Sequence, residues 1–200
     1  MTLYFNKLGG QSYLGAPLAT AYTVAGGQAR DYQNGTIYYS TATGAHLVHG
    51  AILARYKALG GPASALGFPI TDQTSVGDGA GWFNNFSGMG RSSIYWSSKT
   101  GAHAVGGSIR AHWAALGGPQ GFLGYPLTDE TATRGPGGRF NSFSGGAITW
   151  TATLGAHEVH GQIRLKWAAL GCETGSLGFP SSDEYSVAGG RRSDFAHSRR

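Results

Sequence analysis

Leu66-Gly67-Phe68-Pro69 decides the fold, because the same four-residue pattern returns along the chain. It appears again as Leu123-Gly124-Tyr125-Pro126 and as Leu177-Gly178-Phe179-Pro180, and Leu14-Gly15-Ala16-Pro17 is a weaker first copy. The copies begin 52, 57 and 54 residues apart. A period of this length indicates an array of small units that cannot bury their apolar faces alone. A residue type that returns once per unit is therefore first a structural requirement of the unit.

A helix is predicted between successive copies of this motif. Ile109, Trp113 and Leu116 lie at i, i+4 and i+7, which places them on one apolar face of a short helix. Gly117 follows, and it predicts a helix end in left-handed geometry. Two other stretches repeat this spacing, with the residues Ile52, Tyr56, Leu59, Ile163, Trp167 and Leu170.

A turn and a hairpin are predicted after each helix. Gly124 is expected to adopt a positive φ, and Pro126 holds Tyr125 extended. The stretch from Arg139 to Trp150 then alternates in the manner of a β-hairpin, with Gly145-Gly146 at its turn. Each unit is thus predicted as a short helix, an aromatic-Pro turn and a β-hairpin.

The predicted fold class is an α+β repeat protein, rich in β-structure, built as one repeat domain over residues 1–200. A second marker, Gly-Ala-His, recurs at residues 44, 101 and 155. It divides the chain into an incomplete unit 1–43, units 44–100 and 101–154, and an incomplete unit 155–200. Because both ends are out of phase with the unit and no polar caps are visible, a radial, propeller-like closure is favoured over a truncated open array.

Composition excludes several classes of protein. Glycine accounts for 35 of 200 residues and charged residues for only 12%, which indicates a turn-rich chain with a polar, uncharged surface. The net charge of +5 allows an anionic partner, but no basic helix or zinc-finger spacing supports nucleic-acid binding. Without an apolar stretch of 18 residues, we expect no membrane insertion. Cys172 is the sole cysteine, so no internal disulfide forms. We expect a monomer that needs no cofactor.

Together these motifs resemble the LGFP repeat family. Leu-Gly-Phe-Pro, the preceding Ala-Leu-Gly-Gly, the following Ser/Thr-Asp-Glu and the Gly-Ala-His element recur in fixed order from Leu8 to Phe195. The resemblance implies a non-catalytic module of secreted actinobacterial envelope proteins, one that holds wall-acting enzymes at cell-wall polysaccharide. It therefore implies an extracellular or cell-wall location, although no secretion signal is visible at Met1. The first unit departs from the pattern, because Ala16 replaces the aromatic residue.

Aromatic and polar side chains at equivalent positions are the candidate binding residues. Tyr39, Trp96 and Trp150 end equivalent return strands, where a flat ring suits either a core or the C–H face of a sugar. Hydrogen bonds to sugar hydroxyls are expected from the polar set Asp72, Asp129, Asp183, Glu130, Glu184, Asn84, Asn141 and Arg139. For the three aspartates, capping of the backbone in the local turn is the favoured alternative.

The repeated histidines His46, His103 and His157 are interpreted as structural, with a buried hydrogen bond that fixes one unit against the next. One histidine per unit is weak evidence for a metal site, and none is predicted. The favoured function is a non-catalytic module that binds polysaccharide or glycan at several weak, equivalent sites. A structural or adhesive module that binds protein is the alternative. A wall-polymer hydrolase with a Glu130 and Glu184 carboxylate pair comes third.

Overall fold

The computed structural model describes residues 2–135 and 137–197. These residues form two compact bodies that divide after Gly106. We refer to residues 2–106 as the N-terminal body and to the described part of residues 107–197 as the C-terminal body.

The N-terminal body contains three helices and two four-stranded sheets. The helices are α1 (Thr2–Lys7), α2 (Gln11–Leu14) and α3 (Gly50–Ala58). The first sheet has strands β1 (Tyr22–Val24), β2 (Gly27–Tyr32), β3 (Gly35–Ser40) and β4 (Gly44–Val48). The second sheet has β5 (Thr74–Ser75), β6 (Gly81–Phe86), β7 (Ser92–Ser97) and β8 (Gly101–Val105). Each sheet is an antiparallel meander in chain order.

The C-terminal body repeats this plan. Its helices are α4 (Gly107–Ala115) and α5 (Gly161–Ala169). Its larger sheet has strands β9 (Thr131–Ala132), β10 (Gly138–Ser142), β11 (Gly146–Thr151) and β12 (Gly155–His160). A two-stranded sheet follows, formed by β13 (Tyr185–Val187) and β14 (Gly190–Arg192). Single 3-10 turns come after the three longer helices, at Gly61–Ala63, Gly118–Gln120 and Cys172–Thr174.

The recurring Leu-Gly-aromatic-Pro motif closes each repeat onto the turn between its two central strands. The proline forms an isolated antiparallel bridge to an aromatic residue further along, in the pairs Pro17–Tyr32, Pro69–Phe86, Pro126–Phe143 and Pro180–Phe195. The expected positive φ is confirmed at Gly124, whose φ is 66°. The weaker first copy makes the same bridge although Ala16 replaces its aromatic residue, so all four copies share one local structure.

The three predicted helices are confirmed, and each begins with a glycine and ends before a left-handed one. Gly60, Gly117 and Gly171 have φ values of 101°, 96° and 95°. In α3, Ile52 and Tyr56 are buried, and the Tyr56 ring lies 4.6 Å from that of Phe86. Each helix therefore buries one aromatic ring against the bridging aromatic of the next motif, since α4 and α5 form the equivalent pairs Trp113–Phe143 and Trp167–Phe195.

Two expectations about the strands need correction. The repeating β-element is a four-stranded meander and not a hairpin, because the Gly-Ala-His stretches form the outer strands β4, β8 and β12. The turn expected at Gly145-Gly146 lies one residue earlier, since Phe143 and Gly146 exchange both backbone hydrogen bonds around Ser144-Gly145. All sheets in the described residues are separate and open, and the propeller-like arrangement stays a prediction.

Candidate functional site

A pocket of about 460 Å³ in the N-terminal body combines aromatic and neutral polar side chains. We call it the tryptophan pocket. It is lined by Tyr13, His49, Gly50, Ala51, Ile52, Gln73, Trp82 and Trp96. None of these residues carries a formal charge at neutral pH, so the pocket suits an uncharged ligand.

Two adjacent strands supply the flat wall of this pocket. Trp82 in β6 and Trp96 in β7 are directly opposite one another in the antiparallel register, so both indoles lie on one face of the sheet. Trp82 is 43% exposed, whereas Trp96 is half-buried and packs partly against the core. Exposure of an indole beside a second one leaves an apolar platform open to solvent.

The polar groups of the pocket come from three other segments. His49 precedes α3, and Tyr13 meets its ring edge-on with the centroids 6.3 Å apart. Burial lowers the pKa of His49 below its ordinary value, and the negative charge of Asp72 opposes this only in part. A neutral imidazole offers one donor and one acceptor. Gln73 lines the pocket with its amide, whose oxygen is closed to solvent and, among the described residues, has no hydrogen-bond partner.

A second surface in the C-terminal body unites three of the predicted residues. Arg139 in β10 is directly opposite Trp150 in β11 and forms an ion pair with the Glu130 carboxylate. The Arg139 guanidinium also donates to the Glu130 carbonyl oxygen at 3.1 Å. Trp150 is half-buried. Glu184 is held in the same way, because its carboxylate accepts from Arg191 Nε at 2.8 Å.

The carboxylates of Asp72 and Asp183 bind the backbone of a neighbouring strand. Asp72 Oδ1 accepts from the Leu47 N–H at 2.9 Å and from the Tyr4 hydroxyl. Asp183 Oδ1 accepts from the Glu158 N–H at 3.0 Å. Asp129 accepts at its own carbonyl oxygen from the Thr131 hydroxyl. The carboxylates of Asp72 and Asp183 thus hold the motif that follows each sheet to the outer strand of that sheet.

The two asparagines are closed to solvent. Asn84 and Asn141 are fully buried, with 0% exposure. Asn84 Nδ2 donates to the carbonyl oxygens of Leu47 and Thr71, each at 3.0 Å, and Asn141 Nδ2 donates to that of Thr128 at 2.9 Å. An amide buried in this way does not reach a surface ligand. Both residues therefore have a structural role and are not ligand-binding residues.

The repeated histidines fix their own turns. His46 Nε2 donates to the Thr43 carbonyl oxygen at 2.9 Å, and His103 and His157 make the same contact three residues back. The expected hydrogen bond exists, but it closes a turn within the sheet. Tyr39 is 37% exposed on β3 opposite Gln28 and does not line the tryptophan pocket.

Tyr13, His49, Gln73 and Trp82 were not among the predicted binding residues. Trp82 carried a usable signal, because a tryptophan after the Gly-rich stretch faces Trp96 if the two stretches pair as a hairpin. Tyr13 and Gln73 carried none, since the pocket forms only when α2, the loop before β5 and the start of α3 converge on one face of the second sheet.

Among residues 2–135 and 137–197, no group of three or more His, Cys, Asp or Glu side chains is arranged to hold a metal ion. No described helix has the length and apolar character to cross a membrane. The family model of the LGFP repeat matches residues 14–64, 66–121 and 123–175. No curated protein matches the chain.

Proposed function

Because the chain belongs to the LGFP repeat family, we propose that it is a non-catalytic repeat module that binds neutral carbohydrate. The observation that carries the proposal is the tryptophan pocket. It sets the Trp82 and Trp96 platform beside the His49 imidazole and the Gln73 amide. Sugars present flat C–H faces rimmed by hydroxyl groups, and this combination of ring and planar hydrogen-bonding group is complementary to them.

The absence of charge in the lining selects the sugar class. A neutral hexose polymer pairs its hydroxyls with His49 and Gln73, whereas a uronic acid or amino sugar would bury an unpaired charge. Trp82 supplies the stacking face that remains accessible, and Tyr13, 51% exposed, borders the opening. The pocket therefore favours a neutral segment of a polysaccharide.

The C-terminal surface of Glu130, Arg139 and Trp150 provides a second contact in this proposal. The Trp150 ring is half-buried, and Glu130 and Arg139 are paired with each other. This surface is therefore expected to bind a sugar more weakly than the tryptophan pocket does. Two weak sites on one chain bind a polymer more tightly than either site alone. A location outside the cell, at the wall, is part of the same proposal.

The test is binding of the full chain to insoluble polysaccharides, with calorimetry on neutral and acidic oligosaccharides of equal length. We expect saturable binding of a neutral oligosaccharide. Trp82→Ala is expected to weaken it by up to about tenfold, because the loss of one ring-stacking contact costs on the order of 1 kcal/mol. When Gln73→Ala is added to a Trp96→Ala variant, binding of the oligosaccharide should be weaker than in Trp96→Ala alone.

The matched control is Tyr185→Ala, which removes a ring of similar exposure on β13. It should leave binding unchanged, and circular dichroism should confirm the fold of every variant. Binding that is equally reduced by Tyr185→Ala, or restricted to acidic sugars, would contradict the pocket assignment. Capture of a wall protein without any glycan would favour the protein-binding alternative.

A further inference from the structure

A separate cavity of about 430 Å³ lies in the C-terminal body between the larger sheet and α5. Its floor consists of Phe140, Thr149 and Trp167. Arg134, Arg164 and Glu173 stand at its rim, and Cys172 lies beside them. None of these residues belongs to the tryptophan pocket or to the Glu130, Arg139 and Trp150 surface.

The cavity exists because one aromatic ring is missing. In the first sheet, Tyr38 stands opposite Ala29, is 3% exposed and meets the Tyr56 ring edge-on at 5.2 Å. In the larger sheet of the C-terminal body, Thr149 occupies that place, and the residue opposite it is Phe140 instead of alanine. The second sheet has an aromatic residue at both positions, because Phe83 stacks on Tyr95 opposite it with the ring centroids 5.1 Å apart. Trp167 replaces Tyr56 on the helix and lines the cavity together with Thr149. The space filled by a phenol ring in one body is therefore open in the other.

A second replacement puts charge at the mouth of this space. A histidine precedes both α3 and α5, and the residue four positions after it is Leu53 in α3, which packs against the core, and Arg164 in α5. Among the described residues, the guanidinium groups of Arg134 and Arg164 have neither an ion pair nor a hydrogen bond. Unpaired guanidinium groups beside apolar surface are suited to planar carboxylates.

The single acid at the rim is already engaged. Glu173 Oε1 accepts from the backbone N–H of Arg134 at 2.8 Å and lies 3.4 Å from that of Gly135. Its carboxylate thus fixes the loop that carries Arg134 and leaves both guanidinium groups free to meet a ligand. With two arginines against one glutamate, the rim keeps an excess of positive charge.

We propose that this cavity binds an aromatic carboxylate, with the ring in the place of the missing tyrosine and the carboxylate between Arg134 and Arg164. The aromatic part packs on Phe140 and Trp167, and Thr149 leaves the necessary depth. The site is independent of carbohydrate binding, because the two pockets share no residue.

The probe pair is 2-naphthoate and its uncharged isostere 2-naphthamide, titrated into the full chain by calorimetry. We expect naphthoate to bind at one site, about tenfold more tightly than naphthamide, because charge-assisted hydrogen bonds are formed only with the carboxylate. The double variant Arg134→Gln with Arg164→Gln should remove this preference. Equal affinity of both probes for the unmodified chain would overturn the proposal.

Thr149→Tyr tests the position of the ring. It restores the residue found in the first sheet, so the fold should be retained or stabilised, while naphthoate binding should be lost. Lys166→Gln is the matched control, because it removes a positive charge from the exposed part of α5 outside the cavity. Undiminished binding by a folded Thr149→Tyr variant, or an equal loss from Lys166→Gln, would place the ligand elsewhere and overturn the assignment.

Discussion

The buried hydroxyl group of Tyr56 donates a hydrogen bond of 2.5 Å to the carbonyl oxygen of Gly67. The same bond joins helix and motif in the C-terminal body, where Trp113 Nε1 reaches Gly124 at 3.1 Å and Trp167 Nε1 reaches Gly178 at 2.9 Å. The glycine that turns the chain in each motif is thus held by the one aromatic residue that its helix buries. Phenol and indole are interchangeable here because both combine a large apolar ring with a donor at its edge.

Tyr56→Phe removes this donor and keeps the ring. We expect the free energy of unfolding of the N-terminal body to fall by about 1–2 kcal/mol, since the Gly67 carbonyl loses a partner in a partly buried place. Urea unfolding followed by fluorescence measures the change. Tyr22→Phe is the control, because its hydroxyl bonds Asp31 at the exposed surface. A loss no larger than that of Tyr22→Phe would contradict the structural role of the bond.

Cys172→Gly is expected to stabilise the C-terminal body. Cys172 has a φ of 54°, whereas the equivalent positions hold Gly61 and Gly118, both at 58°. The left-handed conformation costs a non-glycine residue about 1–2 kcal/mol, and the greater freedom of glycine in the unfolded chain offsets part of this. A gain of about 0.5–1 kcal/mol in urea unfolding is therefore expected.

The reciprocal change Gly118→Cys provides the matched comparison. A Cβ atom at Gly118 would meet nothing within 4 Å, so only backbone strain is added. It should destabilise the protein by a similar amount. A destabilised Cys172→Gly variant would mean that the cysteine side chain contributes more by packing than its backbone costs.

Asp183→Ala is expected to loosen the last motif from the larger sheet. The carboxylate accepts from the Glu158 N–H at 3.0 Å and from His112 Nε2 at 2.9 Å. Loss of both bonds should cost about 2 kcal/mol, because hydrogen bonds to charged groups are the stronger class. Asp183→Asn keeps an acceptor oxygen and should cost less.

Asp194→Ala is the control for this prediction. It removes a carboxylate from an ion pair with the exposed Arg192, and such pairs contribute little to stability. Hydrogen exchange at the Glu158 amide should accelerate in Asp183→Ala and not in Asp194→Ala. Equal exchange rates in the two variants would refute the assignment.

Acid should destabilise the N-terminal body through His49. Burial lowers its pKa in the folded protein below the ordinary 6.5, so the unfolded chain binds the proton first as the pH falls. The contribution of neutral His49 to the free energy of unfolding is then fully present above pH 6.5 and is lost as the pH falls below it. His49→Gln should flatten the fall in melting temperature between pH 7 and 5. An unchanged slope would show that other groups, including His103, whose pKa burial also lowers, dominate.

Local patterns were sufficient for the helices and for the turn glycines. Ile52 and Tyr56 lie at helical spacing, and Gly60 stands where only a left-handed residue ends the helix. The strand β4 was missed because Gly44-Ala45-His46 contains no alternating apolar residues, and its burial depends on Leu47 and Val48 alone. These small residues form a strand because they pair with β3, and their own sequence carries no strand pattern.

Only the part of the candidate site that lies on the paired strands β6 and β7 could be predicted from the sequence. Trp96 was identified from its place at the end of a strand, and its partner Trp82 follows from hairpin pairing. Tyr13 and His49 reach the pocket from segments that are distant in sequence, so their contribution depends on tertiary packing. Asn84 is the reverse case, since it was predicted as a binding residue from its place beside an aromatic residue. In the structure its side-chain amide donates to two backbone carbonyl groups in the interior.

Attachment through the main chain gives the repeats freedom to diverge. The backbone of Leu47 forms two hydrogen bonds to the next repeat: its N–H donates to the Asp72 carboxylate, and its carbonyl oxygen accepts from the Asn84 amide. Neither contact involves the leucine side chain. At the equivalent place in the C-terminal body the residue is Glu158, 2% exposed, whose carboxylate lies 2.7 Å from His160 Nδ1. Because the joint uses only backbone atoms, a buried leucine and a buried, hydrogen-bonded glutamate can both occupy this position, so duplicated repeats can acquire new chemistry there while the array stays assembled.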